Sequence, residues 1–226
     1  MDDVTSRPAD DHALLAAGVI PVVTVDTASD AVPLARALVA GGLPVIEVTL
    51  RTTAAREAIT RIAAEVPEAV VGAGTVRGAA DVTAAVAAGA RFLVGPGSTP
   101  SMLGALLDSG LPALPGVATP SEVMALLEAG VSRMKFFPAE AGGGTAWLRA
   151  VGGPLPEARF CATGGISATS AADYLRLPNV TAVGGGWMAP RDAVAAGDWG
   201  RITDLSRTAA ETARAATATA DSPGAG

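Results

Sequence analysis

Short, nearly continuous apolar runs recur along the chain, each followed by a stretch with helical signals. This alternation constrains the fold more than any other feature. The runs are Val19–Val25, Val45–Thr49, Val70–Gly74, Phe92–Gly95, Ala113–Gly116, Arg133–Phe136, Arg159–Thr163 and Val180–Val183. Unbroken hydrophobicity, rather than alternation, is the mark of parallel strands buried on both faces. The intervening segments carry helix ends. Thr119-Pro120-Ser121-Glu122 reads as a capping box with proline at the first helical position, and Thr99-Pro100 repeats the cap-then-proline signal. Ile59, Ile62, Ala63 and Val66 share one helix face.

Eight such units within 226 residues predict an α/β fold, a (β/α)8 TIM barrel, which typically takes about 250 residues and tolerates fewer. The rival is a doubly wound open sheet, which calls for a Gly-x-Gly-x-x-Gly turn after the first strand, and none is present. Gly72-Ala73-Gly74 lacks the third glycine. Residues before Gly18, with Leu14 and Leu15 apolar, suggest an extra N-terminal helix plugging the barrel bottom. Residues 1–214 are expected to form one barrel domain. The Ala-Thr repeats and the Asp-Ser-Pro-Gly-Ala-Gly end predict a disordered tail over 215–226.

Composition narrows the function. A 50% hydrophobic content supplies a core, and a net charge of -6 argues against a nucleic-acid partner. One cysteine, Cys161, excludes an internal disulfide framework, and with a single histidine it argues against a His/Cys zinc site. No apolar run approaches the about 18 residues of a membrane span, and the acidic start lacks a signal-peptide pattern. A soluble, cytoplasmic protein is expected, and an all-carboxylate magnesium site stays open at this point.

Lysine occurs once, at Lys135, while every other basic side chain apart from the lone histidine is arginine. It sits in Met134-Lys135-Phe136-Phe137, an apolar setting where a surface charge is least expected. An ammonium can release its proton; a guanidinium cannot. Lys135 is therefore a candidate Schiff-base nucleophile, its ammonium disfavoured by burial. The plain alternative is a lysine snorkelling from a strand end.

In a barrel the active site lies where the strands end. Glu47, Thr49 and Arg51 share one face of the second strand by their spacing of two. Glu47 is a candidate proton carrier or, alternatively, one half of a structural ion pair with Arg51 or Arg133. Arg51 suits a substrate carboxylate, or is a solvated loop residue. Thr75 ends the third strand. The turns Thr163-Gly164-Gly165 and Gly184-Gly185-Gly186 end consecutive units, where barrels of this class recurrently bind phosphate through backbone N–H groups. Cys161 and the three tryptophans read as packing residues.

The segments Glu47-Val48-Thr49-Leu50-Arg51-Thr52, Gly72-Ala73-Gly74-Thr75-Val76, Val94-Gly95-Pro96-Gly97, Pro115-Gly116-Val117, Lys135-Phe136-Phe137-Pro138-Ala139-Glu140 and Ala162-Thr163-Gly164-Gly165-Ile166 resemble the class I aldolases acting on 2-keto-3-deoxy-6-phosphogluconate (KDPG) and 4-hydroxy-2-oxoglutarate (KHG). The resemblance spans roughly Val19 to Pro190. It implies that Lys135 forms the Schiff base and that Glu47 moves protons. It implies that Arg51 and Thr75 hold the pyruvate carboxylate, while Pro96, Phe137 and Thr163 shape the pocket. Gly164, Gly165, Gly185 and position 186 would bind phosphate. The family usually has serine before the tryptophan, where this chain has Gly186-Trp187, so one hydroxyl contact is missing. A 2-keto acid substrate, no cofactor and a homotrimer are also implied. Two other readings stand beside it: another phosphate-binding barrel enzyme, such as an isomerase or a thiamine-phosphate-synthase-like transferase, and a non-catalytic assembly protein on an aldolase barrel.

Overall fold

The structure, a computed structural model, describes residue 14 and residues 16–220. Its strands are β1 (Gly18–Val23), β2 (Val45–Thr49), β3 (Val70–Gly74), β4 (Leu93–Val94), β5 (Ala113–Leu114), β6 (Gly116–Val117), β7 (Arg133–Phe136), β8 (Arg159–Thr163) and β9 (Val180–Gly185). All observed pairings are parallel. The strand order is β5-β4-β3-β2-β1-β9-β8-β7-β6. The two outermost members are halves of one apolar run, so the sheet returns on itself at Pro115 and forms a barrel.

Pro115 explains why nine strands stand where eight were expected. It has no N–H to give to a ladder. Its carbonyl still accepts from Lys135 N at 2.9 Å, while the Leu114 carbonyl accepts from Gly95 N on the other side at 3.1 Å. One strand thus serves both neighbours through a break.

The helices are α1 (Ala31–Ala40), α2 (Ala55–Glu65), α3 (Ala79–Ala87), α4 (Pro100–Asp108), α5 (Pro120–Glu128), α6 (Gly144–Gly152), α7 (Ala171–Leu175), α8 (Arg191–Ala196) and α9 (Trp199–Ala220). The capping box at Thr119 and Glu122 forms as the sequence predicts, and Thr99 caps α4. Between strands and helices lies the main core, built from outward-facing strand residues such as Ile46, Val48, Val71 and Phe160 with helix residues such as Leu34, Leu38 and Ile59. A second cluster fills the barrel interior: Ile20, Val45, Val70, Phe92, Val94, Leu114, Cys161 and Ala182. Gly72 leaves its interior space to the Phe92 ring, which lies 2.5 Å from where a Cβ would stand.

Leu14 joins this inner cluster, and Leu14 and Ala16 are helical. The remainder of the expected N-terminal helix, Leu15 included, lies outside the described residues. The expected disordered tail from residue 215 is corrected by α9, which runs to Ala220; 221–226 lie outside the described residues. Alanine is the strongest helix former, and Ala209, Ala210, Ala213 and Ala216 form a buried face there. The Ala-Thr composition that reads as low complexity is the continuation of that helix.

Candidate active site

Glu47 and Lys135 project into the barrel above the inner apolar cluster, from β2 and β7. Lys135 Nζ donates to Glu47 Oε1 at 3.1 Å and to Oε2 at 3.4 Å. Both side chains are buried, 6% and 4% exposed. Neither charge would be tolerated there alone, because removing an ion from water costs several kcal/mol. The partner of Glu47 is therefore Lys135, and the alternatives with Arg51 or Arg133 fall away. Gly74 makes the arrangement possible: a side chain there would overlap the Glu47 carboxylate.

The surroundings are closely packed. Lys135 Nζ stands 5.5 Å from the centroid of the Phe137 ring, within cation–π range. Cys161 pairs with Lys135 in the β7–β8 register and lines the same interior. Burial pushes its thiol up to about 11, opposed by the nearby Lys135 charge and reinforced by Glu47. At neutral pH it is a small apolar lining group, as its strand position predicts. Thr163 Oγ1 lies 3.8 Å from its sulfur. The Thr49 hydroxyl, also buried, donates to the Val23 carbonyl at 3.1 Å and lies 2.9 Å from Thr24 Oγ1, tying β2 to the end of β1.

Arg51 and Thr75 meet at the rim. Arg51 Nε donates to Thr75 Oγ1 at 3.3 Å. Thr75 has φ 61°, the only described non-glycine residue with positive φ. A β-branched residue in that region is strained, and such strain concentrates at functional sites. Pro96 follows β4 and packs through its backbone against Gly116, where a side chain would overlap it.

The two glycine turns lie side by side, since Thr163 pairs with Gly184 in the β8–β9 register. Gly184 leaves room for the Thr163 hydroxyl, 2.5 Å from where a Cβ would stand, and Trp187 occupies the space beside Gly185. Gly164 and Gly165 are left-handed, at φ 105° and 83°. A Cβ on Gly186 would stand 3.3 Å from the Val22 carbonyl. A cavity of about 480 Å³ between β1 and α8, lined by Thr24, Asp26 and Arg191 among others, touches the site residues only at Gly186.

Sequence reasoning missed Gly74, the Thr24–Thr49 hydroxyl pair, and a contact between Glu140 and Tyr174 behind Gly165. Gly74 had one available signal, a glycine closing the third apolar run directly before Thr75; its pairing with Thr49, beside Glu47, is visible only in the fold. Among the described residues no cluster of three or more His, Cys, Asp or Glu side chains could hold a metal ion. No described helix is long and apolar enough to cross a membrane.

A parallel barrel with a buried lysine held against a carboxylate where its strands end fits the class of Schiff-base-forming lyases. The family model "Aldolase: KDPG and KHG aldolase" matches residues 11–205. A 2-dehydro-3-deoxy-phosphogluconate aldolase of Pseudoalteromonas atlantica is 50% identical over 191 residues, 84% of this chain and 89% of that one. The chain belongs to the KDPG and KHG aldolase family and is a carbon–carbon lyase. Among solved structures, a KDPG aldolase of Legionella pneumophila with pyruvate captured as a covalent carbinolamine superposes with a TM-score of 0.85 at 44% identity, covering 88% of this chain and 96% of that one. The KDPG aldolase of Zymomonas mobilis with 3-phosphoglycerate gives 0.83 at 45% identity, with coverages of 89% and 94%.

Proposed function

We propose that this chain cleaves 2-keto-3-deoxy-6-phosphogluconate to pyruvate and glyceraldehyde 3-phosphate, and 4-hydroxy-2-oxoglutarate to pyruvate and glyoxylate. The observation that carries this reading is the buried 3.1 Å contact between Lys135 and Glu47. The carboxylate is within reach to take the ammonium proton and free the amine. The amine adds to the C2 ketone; Glu47 returns the proton to the departing hydroxyl, and loss of water gives an iminium. Glu47 then accepts the C4 hydroxyl proton, directly or through water, as the C3–C4 bond breaks. The bond's electrons pass into the iminium, forming an enamine and releasing the aldehyde. Proton return to C3 and hydrolysis of the resulting iminium yield pyruvate and restore the lysine. These steps call on no metal or organic cofactor.

In this reading Arg51 and Thr75 hold the pyruvate carboxylate, and their mutual contact at the rim supports it. Pro96, Phe137 and Thr163 wall the pocket. Backbone N–H groups of Gly164, Gly165, Gly184, Gly185 and Gly186 receive the phosphate, in the manner of the turns that end the last two units of a barrel. The enzyme is cytoplasmic and homotrimeric. Exposed Val86, Leu107 and Met124, on the consecutive helices α3, α4 and α5, offer apolar surface for subunit contact. Pyruvate release from each substrate, followed with lactate dehydrogenase and NADH, tests the activity. Cleavage of neither substrate would overturn it. Sedimentation at the mass of three chains tests the assembly.

A further inference from the structure

The turn after β8 places two left-handed glycines in succession and has no side chain of its own to fix it. Its support comes from the loop after β7, which also carries Lys135's strand out of the barrel. Ala139 N donates to the Thr163 carbonyl at 2.8 Å, and Glu140 N donates to the Gly164 carbonyl at 3.0 Å. The Glu140 side chain then lies directly against Gly165: a Cβ on that glycine would stand 2.7 Å from both Glu140 Cβ and Cγ. Glu140 is solvent-exposed, and an exposed glutamate left to itself samples many rotamers. This one is held. The buried Tyr174, on α7, donates its hydroxyl to Glu140 Oε1 at 2.8 Å. Burial first, then the Glu140 carboxylate, push the phenol above its ordinary value, so it remains a donor across the neutral range.

The turn is thus clamped from behind by residues contributed by the loop before it and the helix after it. We propose that Glu140, pinned by Tyr174, is a positioning residue for the phosphate end of the substrate: its stem props Gly165 and keeps the backbone donors of the Gly164–Gly165 turn in one arrangement. The inference rests on the reading of that turn as the phosphate site. Tyr174 acts by holding an anion in place. Released, the carboxylate would move freely beside a dianionic group and repel it.

The variants Tyr174→Phe, Glu140→Ala and Glu140→Gln separate prop, pin and charge. Steady-state kinetics with KDPG and with the unphosphorylated KHG gives the readout. Tyr174→Phe and Glu140→Ala raise KM for KDPG about 3- to 10-fold, as expected for one lost hydrogen bond, with kcat and KM for KHG within about twofold. Glu140→Gln, whose amide oxygen still accepts from Tyr174, restores KM for KDPG to within about twofold of the parent. An unmoved KM for KDPG, or equal rises for both substrates, overturns the proposal. Pyruvate and borohydride are applied to the parent protein in parallel. Without an adduct on Lys135 the aldolase reading falls and takes this inference with it; with the adduct present, an unmoved KM defeats this inference alone.

Discussion

Gly74 and Glu47 share one interior volume: a Cβ on the glycine would overlap the carboxylate that bonds Lys135. Alanine at 74 therefore displaces the proton carrier. Gly74→Ala is expected to cost about 1–3 kcal/mol from overpacking. It should also slow turnover by about 10²-fold or more, because Glu47 no longer sits within reach of the amine. Urea unfolding and the coupled pyruvate assay read the two effects. Parent-like turnover would show that Glu47 finds another productive position.

Glu47→Gln removes the acceptor for the C4 hydroxyl proton but keeps the side-chain shape. Turnover should fall by about 10²–10⁴-fold. Pyruvate should still be trapped on Lys135, because an ammonium buried without its carboxylate partner gives up its proton to water more readily, so cleavage and imine formation separate in one variant. Unaltered kcat would assign the proton transfer to another group.

Much of this arrangement is legible in the sequence, and what is not has a physical cause. Strand positions emerge because burial on both faces leaves unbroken apolar runs, and β2, β3, β7 and β8 coincide with their expected bounds. Lys135 stands out because no other lysine exists to dilute it. The split at Pro115 is hidden, since an apolar run does not reveal which partner each half pairs with. Helix α9 is hidden beyond Arg214 because alanine and threonine repeats look alike whether they are solvated or packed. The Glu140–Tyr174 contact joins residues on different units. The pairing of β7 with β8 brings them together, and closure of the barrel does the same for Glu47 and Lys135.

Gly186 departs from the serine that the resemblance leads one to expect before Trp187. Gly186→Ser is expected to lower KM for KDPG and leave KM for KHG unchanged. The regained hydrogen bond to a charged group contributes at most about 1.5–3 kcal/mol. The new Cβ meets only the Val22 carbonyl, at 3.3 Å, so a small shift accommodates it. An unchanged KM for KDPG would contradict the placement of phosphate at this turn.

The capping box of α5 offers a test of local stability. Thr119→Ala removes a side-chain acceptor for Glu122 N and should cost about 1 kcal/mol in urea unfolding. Glu122 accepts from the backbone N–H groups of Ala118 and Thr119 at 2.7 and 2.8 Å. Burial works to raise its carboxyl, but these bonds and the Thr119 side chain outweigh it, and the net shift is downward from 4.5. A carboxyl lowered on folding stabilises above its unfolded value, and that stabilisation is lost as pH falls through the folded value. The stability gap between the parent and Glu122→Gln should be widest above pH 4.5 and close below it. A gap that widens on acidification would contradict the capping geometry.

The covalent role of Lys135 is tested most directly by mass. The intact protein is incubated with pyruvate, reduced with borohydride, digested and sequenced by mass spectrometry. One reduced pyruvate is expected on one peptide, the one that contains the chain's single lysine. Lys135→Arg should show neither adduct nor turnover, since a guanidinium stays protonated and forms no imine. Full cleavage activity in Lys135→Arg, or an adduct found only at the N-terminal amine, would contradict the account.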